Sequence, residues 1–368
     1  MKVLGSTKLA VKCPPQVSGP NDTGRLMLWV VAACSPAALI STWFFGIGLL
    51  LNVLQAALYA SLAEAAVARL RGLPPALLLK DYSALVTAVL LGMALPPGLA
   101  WWLVLLGTAF AILVAKHAFG GLGQNPFNPA MCGYALLLLS FPLDMTAWHL
   151  PVSPSPNQDP LNPLSPAGLW ISLKLAFPVL VPAGTLESFI DGMAMATPLI
   201  EQKMAGHSAL LAAMENGSNW FARPAETGWE LVNMGFLAGG LLLLVRRIIS
   251  WHIPVAVIGT VALMSVLFYS EYSMNVVGSP YLHLLGSATM MGAFFIATDP
   301  ASAAGTPLGK ILYGVVIGIA IYAIRVWGSY LDSVAFAVLL GNFCAPLIDR
   351  LTPPRYYGRS GWTLPWKP

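Results

Sequence analysis

Charged side chains are scarce in this sequence. Only 9% of its 368 residues are Asp, Glu, Lys or Arg, whereas 57% are hydrophobic and the mean hydropathy is +0.73. A soluble domain carries about 25% charged and about 45–50% apolar residues, so this chain has too few polar side chains to cover a globule of its size. The composition excludes a soluble protein and indicates a membrane protein with several spans.

The sequence also has few cysteines and no cluster of basic residues. Cys13, Cys34, Cys132 and Cys344 are far apart and form no C-x-x-C pair. This spacing excludes a disulfide framework and an iron–sulfur or zinc site built from neighbouring residues. The basic residues occur singly or in pairs between apolar runs, whereas nucleic-acid binding needs a basic face, so we exclude nucleic acid as a partner.

Long apolar runs dominate the chain instead. A helix needs about 20 apolar residues to cross the hydrocarbon core, and fewer where its neighbours shield it. Ten predicted spans result: 26–45, 47–68, 82–96, 100–118, 129–143, 230–249, 253–271, 281–298, 309–327 and 331–348. A further segment, 167–181, is short and carries Lys174 and Pro178, so we interpret it as an interfacial or surface-packed element.

Lysine and arginine near the span ends predict the orientation. With the N-terminus in the cytoplasm, 15 of the 19 basic residues lie inside, and Lys174, Lys203, Arg223 and Arg325 lie outside. This split satisfies the positive-inside rule, so we expect both termini in the cytoplasm. The polar N-terminal tail does not resemble a cleaved signal sequence, and we expect the first span to remain in the mature protein.

A long polar stretch divides the spans into two sets of five. The predicted units are a cytoplasmic tail (1–25), a five-helix half (26–143), a periplasmic loop (144–229), a second five-helix half (230–348) and a cytoplasmic tail (349–368). Because five is odd, the second set enters the membrane from the opposite side, as an inverted repeat requires. The predicted fold is all-α and polytopic, with about ten transmembrane helices in an inverted 5+5 repeat.

Three segments break the apolar monotony, and the first is KHAFGGLGQNPFNPA, at the end of the fourth predicted span. Gly120, Gly121 and Gly123 permit positive φ, so the backbone can approach a ligand or a neighbouring helix closely. Asn128 and Pro129 suit the N-cap and first residue of the fifth span. Exposed N–H groups here suit an anion or the polar edge of a ring, and the alternative is a tight turn between helices.

The second segment is GSATMMGAFFIATDPAS, residues 286–302. Its small residues permit close helix approach, which is the commonest meaning of such a pattern in lipid. The tripeptide Thr298-Asp299-Pro300 caps or ends a helix, on the same predicted side as the glycine-rich turn, so the two segments can face each other. Asp299 is one of the few acids near the membrane, which favours a functional role.

The third segment is SFIDGMAMATPL, residues 188–199 in the external loop. Asp191-Gly192 indicates a turn, and Pro198 disfavours the helical conformation for Thr197, which leaves its hydroxyl presentable. Taken alone, these residues predict a turn followed by a short helix.

Together the three segments resemble a known family. GGLGQNPFNPA, DGxxxAT in an external loop and SATMMGAFFIATDPASA, on ten spans with this spacing, resemble the RnfD family of bacterial Rnf electron-transport complexes. They are more distantly similar to the related membrane component of the sodium-translocating NADH:quinone oxidoreductase. The resemblance covers nearly the whole chain. It implies a flavin-bearing inner-membrane subunit, not catalytic alone, of a pump that exchanges electrons between ferredoxin or flavodoxin and NAD, coupled to Na⁺ or H⁺ movement.

The resemblance also implies two cofactors. In this family FMN is joined through its phosphate to a threonine in the motif D-G-x-[ST]-G-A-T; Thr197 occupies that position, with Asp191 as the leading acid. This sequence departs from the motif at Ala194 and Met195. A second, non-covalent flavin such as riboflavin is expected within the membrane. Its implied binding residues are Gly120, Gly121, Gly123, Asn125, Asn128, Thr298 and Asp299.

Other subunits must supply the remaining chemistry. The sequence has no G-x-G-x-x-G fingerprint after a strand, so NAD is expected on a partner. The isolated cysteines likewise assign iron–sulfur clusters to partners, and the family implies a second flavinylated subunit. Two alternatives stay open: the quinone-reducing relative, which carries a longer N-terminal extension, and a flavin-free 5+5 solute channel or transporter, which leaves the DGxxxAT loop unexplained.

Overall fold

The computed structural model describes residues 23–149, 166–177, 194–195, 227–268, 280–328 and 333–353, and these are almost entirely helical. In the first half the helices are α1 (Thr23–Phe45), α2 (Gly48–Leu70), α3 (Pro75–Leu79), α4 (Ser83–Ala94), α5 (Trp101–Ala109), α6 (Pro129–Ser140) and α7 (Pro142–Thr146). Helix α5 continues directly as a π-helix, Phe110–His117.

The remaining elements begin in the loop. They are β1 (Trp148–His149), α8 (Pro166–Ala176), β2 (Ala194–Met195), α9 (Thr227–Val245), α10 (His252–Leu267), α11 (Pro280–Leu285), α12 (Thr289–Met291), α13 (Pro307–Val326) and α14 (Val334–Leu351). A second π-helix, Gly292–Ile296, follows α12 directly. The two strands pair antiparallel, with Trp148 opposite Met195.

Within the part of the chain that the structure describes, five helices are long and apolar enough to cross a membrane: α1, α2, α9 from Gly228, α13 and α14. Four shorter apolar helices accompany them, namely α4, α5 with its π-helix, α6 and α10. At 1.5 Å per residue, the 12-residue helices α4 and α6 cover only about 18 Å of a core that is about 30 Å thick, and the 16-residue α10 covers about 24 Å. The all-α polytopic fold is confirmed, and the crossing of the membrane by each shorter helix stays a prediction.

The packing of the two halves follows one pattern. In the first half α1 packs against α4, α2 packs against α4 and α5, and α5 packs against α6. In the second half α9 packs against α12, α10 packs against the second π-helix and α13, and α13 packs against α14. Between the halves α1 contacts α9, and α6 contacts α14. This correspondence supports a five-helix repeat, while the opposite orientation of the halves stays a prediction.

The prediction of one continuous eighth span over 281–298 is wrong. Helix α11 ends at Leu285, and helical structure resumes at Thr289. Arg325 Nη1 and Thr289 Oγ1 both donate to the carbonyl oxygen of His283, at 2.7 and 2.6 Å. These side chains replace the amide donor of a continuous helix, and such substitution is what permits a helix to break inside a membrane.

The side chain of Asn233 binds the backbone on both sides of this break. Asn233 of α9 donates to Leu285 O at 2.7 Å and accepts from Met290 N at 3.4 Å. The freed carbonyl of Leu285 before the break and the freed amide of Met290 after it therefore both have a partner.

The external loop is described in part. Segment 167–181 contains α8, which ends at Ala176, before Pro178, and packs against α2. Of segment 188–199 only Ala194 and Met195 are described, and they form β2. Their backbone pairs with β1, which the sequence did not predict, and the expected turn and following short helix stay predictions. Asp191 and Thr197 lie outside the described residues.

Candidate functional site

A cavity of about 380 Å³, which we name the inner cavity, lies where the glycine-rich turn leads into α6. Its wall is built by the start of α1, α4, the end of α9 and the segment after the second π-helix. The polar wall residues are Thr23, Ser83, Thr87, Lys116, Asn125, Asn128, Thr298 and Asp299. Four residues predicted from the sequence, Asn125, Asn128, Thr298 and Asp299, thus line one cavity.

The three glycines shape the turn beside this cavity. Gly120, Gly121 and Gly123 have φ values of 122°, 115° and 80°, in the region that side-chain-bearing residues avoid. Arg71 at the end of α2 secures the turn by donating to Gly120 O at 3.1 Å and to His117 O at 2.7 Å. Within this turn Leu122 and Asn125 form the cavity wall, whereas Gly120, Gly121 and Gly123 do not line it, and a binding role for the three glycines stays a prediction.

Asn128 joins the two segments that the sequence singled out. Its side chain accepts from Met131 N at 3.3 Å, which confirms the predicted N-cap of α6, and it donates to Ile296 O at 3.2 Å. Asn125 is also buried and donates to Phe127 O at 3.0 Å. The start of α6 and the end of the second π-helix are therefore held together at the cavity.

Thr298 and Asp299 end the eighth span as predicted. Thr298 Oγ1 donates to Phe294 O at 2.7 Å, and Asp299 accepts from Ala301 N at 3.4 Å and from Ser302 Oγ at 2.9 Å. Burial raises the pKa of the Asp299 carboxyl above its ordinary value, although both hydrogen bonds favour the charged form. Asp299 therefore accepts a proton more readily than an exposed aspartate does.

A buried ion pair completes the wall. Lys116 Nζ lies 2.5 Å from Glu64 Oε1 and 2.6 Å from Ser83 Oγ. Glu64 is 0% exposed and Lys116 2% exposed. His117 Nε2 lies 3.4 Å from the same Glu64 oxygen. Lys116 and His117 belong to a π-helix, and π-helical segments often occur at functional sites.

Glu64 was missed in the sequence. It is the only acid within the first five predicted spans. An ionisable residue inside a membrane span is a functional candidate by default, so this isolation was the signal that could have found it. Its pairing with Lys116, which is far away in the sequence, needed the structure.

A smaller cavity of about 90 Å³ lies at the other end of α1, and we name it the outer cavity. Three aromatic rings cluster in its wall: the centroid of Trp229 lies 4.8 Å from that of Phe45 and 4.9 Å from that of Trp148. Trp148 belongs to β1, the partner of β2. The loop segment two residues before Thr197 thus returns to the helical bundle beside this aromatic cluster.

The inner cavity combines an apolar lining with few polar groups. One ammonium, one carboxylate, two amides and several hydroxyls stand among Leu, Ile, Val and Phe side chains. Ligand sites in proteins are mostly apolar and usually about 300–1,000 Å³ in volume, with a few polar groups that fix orientation. This lining suits a flat, largely apolar molecule with one polar edge.

Comparison with known proteins places the chain among relatives that match it nearly end to end. The model of the NQR2, RnfD, RnfE family matches residues 10–358. The RnfD protein of the ion-translocating oxidoreductase complex of Yersinia enterocolitica is 46% identical over 360 residues, 96% of this chain and 99% of the relative. The proteins of that name from Aeromonas hydrophila (46% over 352 residues; 94% and 97%) and Vibrio vulnificus (45% over 350 residues; 94% and 98%) are similarly close.

Proposed function

The chain belongs to the NQR2, RnfD, RnfE family, and on this premise we propose that it is the flavin-carrying membrane subunit of an ion-translocating ferredoxin:NAD⁺ oxidoreductase. Its place as one membrane subunit of an ion-translocating oxidoreductase complex follows from its family and its relatives. The finer proposal is that its flavins pass electrons across the bacterial inner membrane, coupled to Na⁺ or H⁺ movement.

The inner cavity carries this proposal. Asn128 and Ile296 are 168 residues apart in sequence and meet at its wall through one hydrogen bond. The glycine-rich turn and residues 286–302 each resemble segments of a flavin-binding family by sequence alone, without regard to any contact between them. Their convergence on a cavity of about 380 Å³ supports a non-covalent flavin, such as riboflavin, at this place.

The residues of the inner cavity fit the chemistry of a flavin ring. Lys116 and Asn125 provide N–H groups for the ring's polar edge, the Thr298 hydroxyl oxygen provides an acceptor because its O–H is donated to Phe294 O, and Asp299 provides a carboxyl. Aromatic and aliphatic side chains, including Phe295, provide the apolar surroundings. The bound flavin would supply the electron transfer itself, while these residues bind it, orient it and exclude water.

We assign the covalent FMN to Thr197, with Asp191 as a positioning acid. A phosphate ester needs a hydroxyl on a segment that a transferring enzyme can bind in extended form. Pro198 disfavours a helical Thr197, and the neighbouring Ala194–Met195 is extended in β2. The predicted periplasmic location of loop 144–229 would give the transferring enzyme access.

The complete reaction requires partners. Iron–sulfur, NADH-handling and second flavinylated subunits of the same complex would carry the steps for which this chain has no motif. Ferredoxin or flavodoxin would exchange electrons with this chain only through those subunits. The membrane lipid would surround the exposed leucines of the long helices.

In-gel flavin fluorescence tests the covalent assignment. The full chain, produced together with a flavin transferase, should give a fluorescent band on a denaturing gel under ultraviolet light. Thr197→Ala should abolish the band, and the matched control Thr185→Ala should keep it. A band that survives Thr197→Ala would refute this site, and a chain without any covalent or extractable flavin would favour the solute transporter.

A further inference from the structure

The Glu64–Lys116 ion pair is buried beside the inner cavity. Its lysine adjoins the space for a ligand. Lys116 and Ser83 both line the cavity, and Glu64 lies behind them at Lys116 Nζ. An ammonium has three N–H donors, and two of them are directed to Glu64 and Ser83. Because Lys116 lines the cavity, its third donor can serve a molecule bound there.

The other charged groups around the pair come from several elements. His117 lies on the same π-helix as Lys116 and approaches Glu64 at 3.4 Å. The remaining ones are Asp81, which accepts from Ser83 Oγ at 2.6 Å, Arg71, which binds His117 O, and Asp299 in the cavity wall. Among the described residues, Lys116 is the basic side chain that lines the cavity.

We propose that the Glu64–Lys116 pair sets how much more tightly the inner cavity binds the reduced cofactor than the oxidised one. Lys116 favours the reduced form because that form carries negative charge, and Glu64 limits this preference. The inference rests on the proposed flavin in this cavity and adds the residues that determine its redox behaviour.

The charge balance gives the pair opposite effects. A flavin ring that accepts two electrons from a reductant and one proton from water gains one negative charge. An ammonium nearby stabilises that charge, and a carboxylate nearby destabilises it. A unit charge within about 10 Å, at an effective dielectric constant of about 20, changes such an equilibrium by roughly tenfold.

A redox titration measures this preference. The full chain is produced without a flavin transferase, so that only the non-covalent flavin is present, and is titrated with dithionite while the flavin absorbance is followed. Lys116→Met should lower the ratio of reduced to oxidised affinity about tenfold, which is about 30 mV for a two-electron couple. Glu64→Gln should raise the ratio by a similar factor, and the exposed Lys80→Met should leave it unchanged.

A double variant protects the test against misfolding. Lys116→Met alone leaves a buried carboxylate without its ammonium partner, whereas Glu64→Gln with Lys116→Met does not. Relative to Glu64→Gln, the double variant must again show a ratio of reduced to oxidised affinity that is about tenfold lower, because the lysine charge is lost. If the pair only held α2 to the first π-helix, the substitutions would reduce stability but would not shift the affinity ratio in opposite directions.

The outcomes separate this inference from the proposed function. Opposite shifts for the two single variants support it; where Lys116→Met alone does not fold, a rise in Glu64→Gln followed by a fall in the double variant supports it. Retained flavin with unshifted ratios, or shifts of one sign, overturns the inference alone. A wild-type chain without non-covalent flavin overturns the flavin assignment of the inner cavity and this inference together.

Discussion

The contact between α1 and α9 joins the two halves of the protein, and Gly239→Ala perturbs it directly. A Cβ atom at Gly239 would overlap the carbonyl oxygen of Ala33 on α1 and would lie 3.1 Å from the ring of Phe295. A backbone carbonyl in a helix cannot turn away as a flexible side chain can. The helices must therefore separate at this point.

The expected magnitude follows from two opposing terms. Overpacking usually costs about 1–3 kcal/mol, and a backbone obstacle places Gly239 near the upper limit. Replacement of glycine by alanine inside a helix gains about 1 kcal/mol. We expect a net destabilisation of about 2 kcal/mol. Because Phe295 lines the inner cavity, the same change should also weaken retention of the non-covalent flavin.

Gly259→Ala on α10 is the matched control. A Cβ atom at Gly259 would meet no other atom within 4 Å, so only the helix gain remains. Thermal and denaturant unfolding of the purified full chain in detergent should therefore show destabilisation by Gly239→Ala and a small stabilisation by Gly259→Ala. Equal effects of the two substitutions would refute the close approach of α1 and α9.

Three further predictions follow from the ionisable groups and the orientation. Glu64→Ala should destabilise the chain by about 3–5 kcal/mol in denaturant titrations, because it leaves Lys116 buried without its carboxylate, and adding Lys116→Met should recover part of the loss. Asp299→Asn should reduce ion uptake and electron transfer; retention of both would leave Asp299 as a helix cap. Because its pKa is raised, the wild type should lose stability relative to Asp299→Asn as the pH rises from below the ordinary pKa of aspartate. Gly217→Cys should react with an impermeant maleimide from the periplasmic side, above the labelling of the wild type, and Ser360→Cys should not; reversed labelling would overturn the orientation.

Local sequence patterns predicted the helices and part of the site well. Asn128 and Pro129 had the chemistry of an N-cap and first helical residue, and the structure has them there. The glycine-rich turn was predictable because positive φ is a property of the residue itself. The polar segments around Asn125 and Asp299 stood out against an apolar background, since polar residues near a membrane are costly.

Features that depend on distant partners were not predictable in this way. The eighth span has no proline within its predicted range, and its break depends on Arg325 and Asn233, which belong to other helices. The strand at Ala194–Met195 likewise depends on its pairing with β1. The Glu64–Lys116 pair joins residues from two spans, and a single sequence does not indicate which acid meets which base.

Counting the flavins on the full chain tests the central claim most directly. Protein produced with a flavin transferase should carry one covalent flavin, on Thr197, and one flavin that denaturation releases. Asn128→Leu removes the hydrogen bond to Ile296 at the inner cavity and should lose only the releasable flavin. Asn52→Leu removes an equally buried asparagine that donates to Pro96 O away from that cavity, and should keep both flavins. Equal flavin content in the wild type and Asn128→Leu, or no releasable flavin in the wild type, would contradict the account.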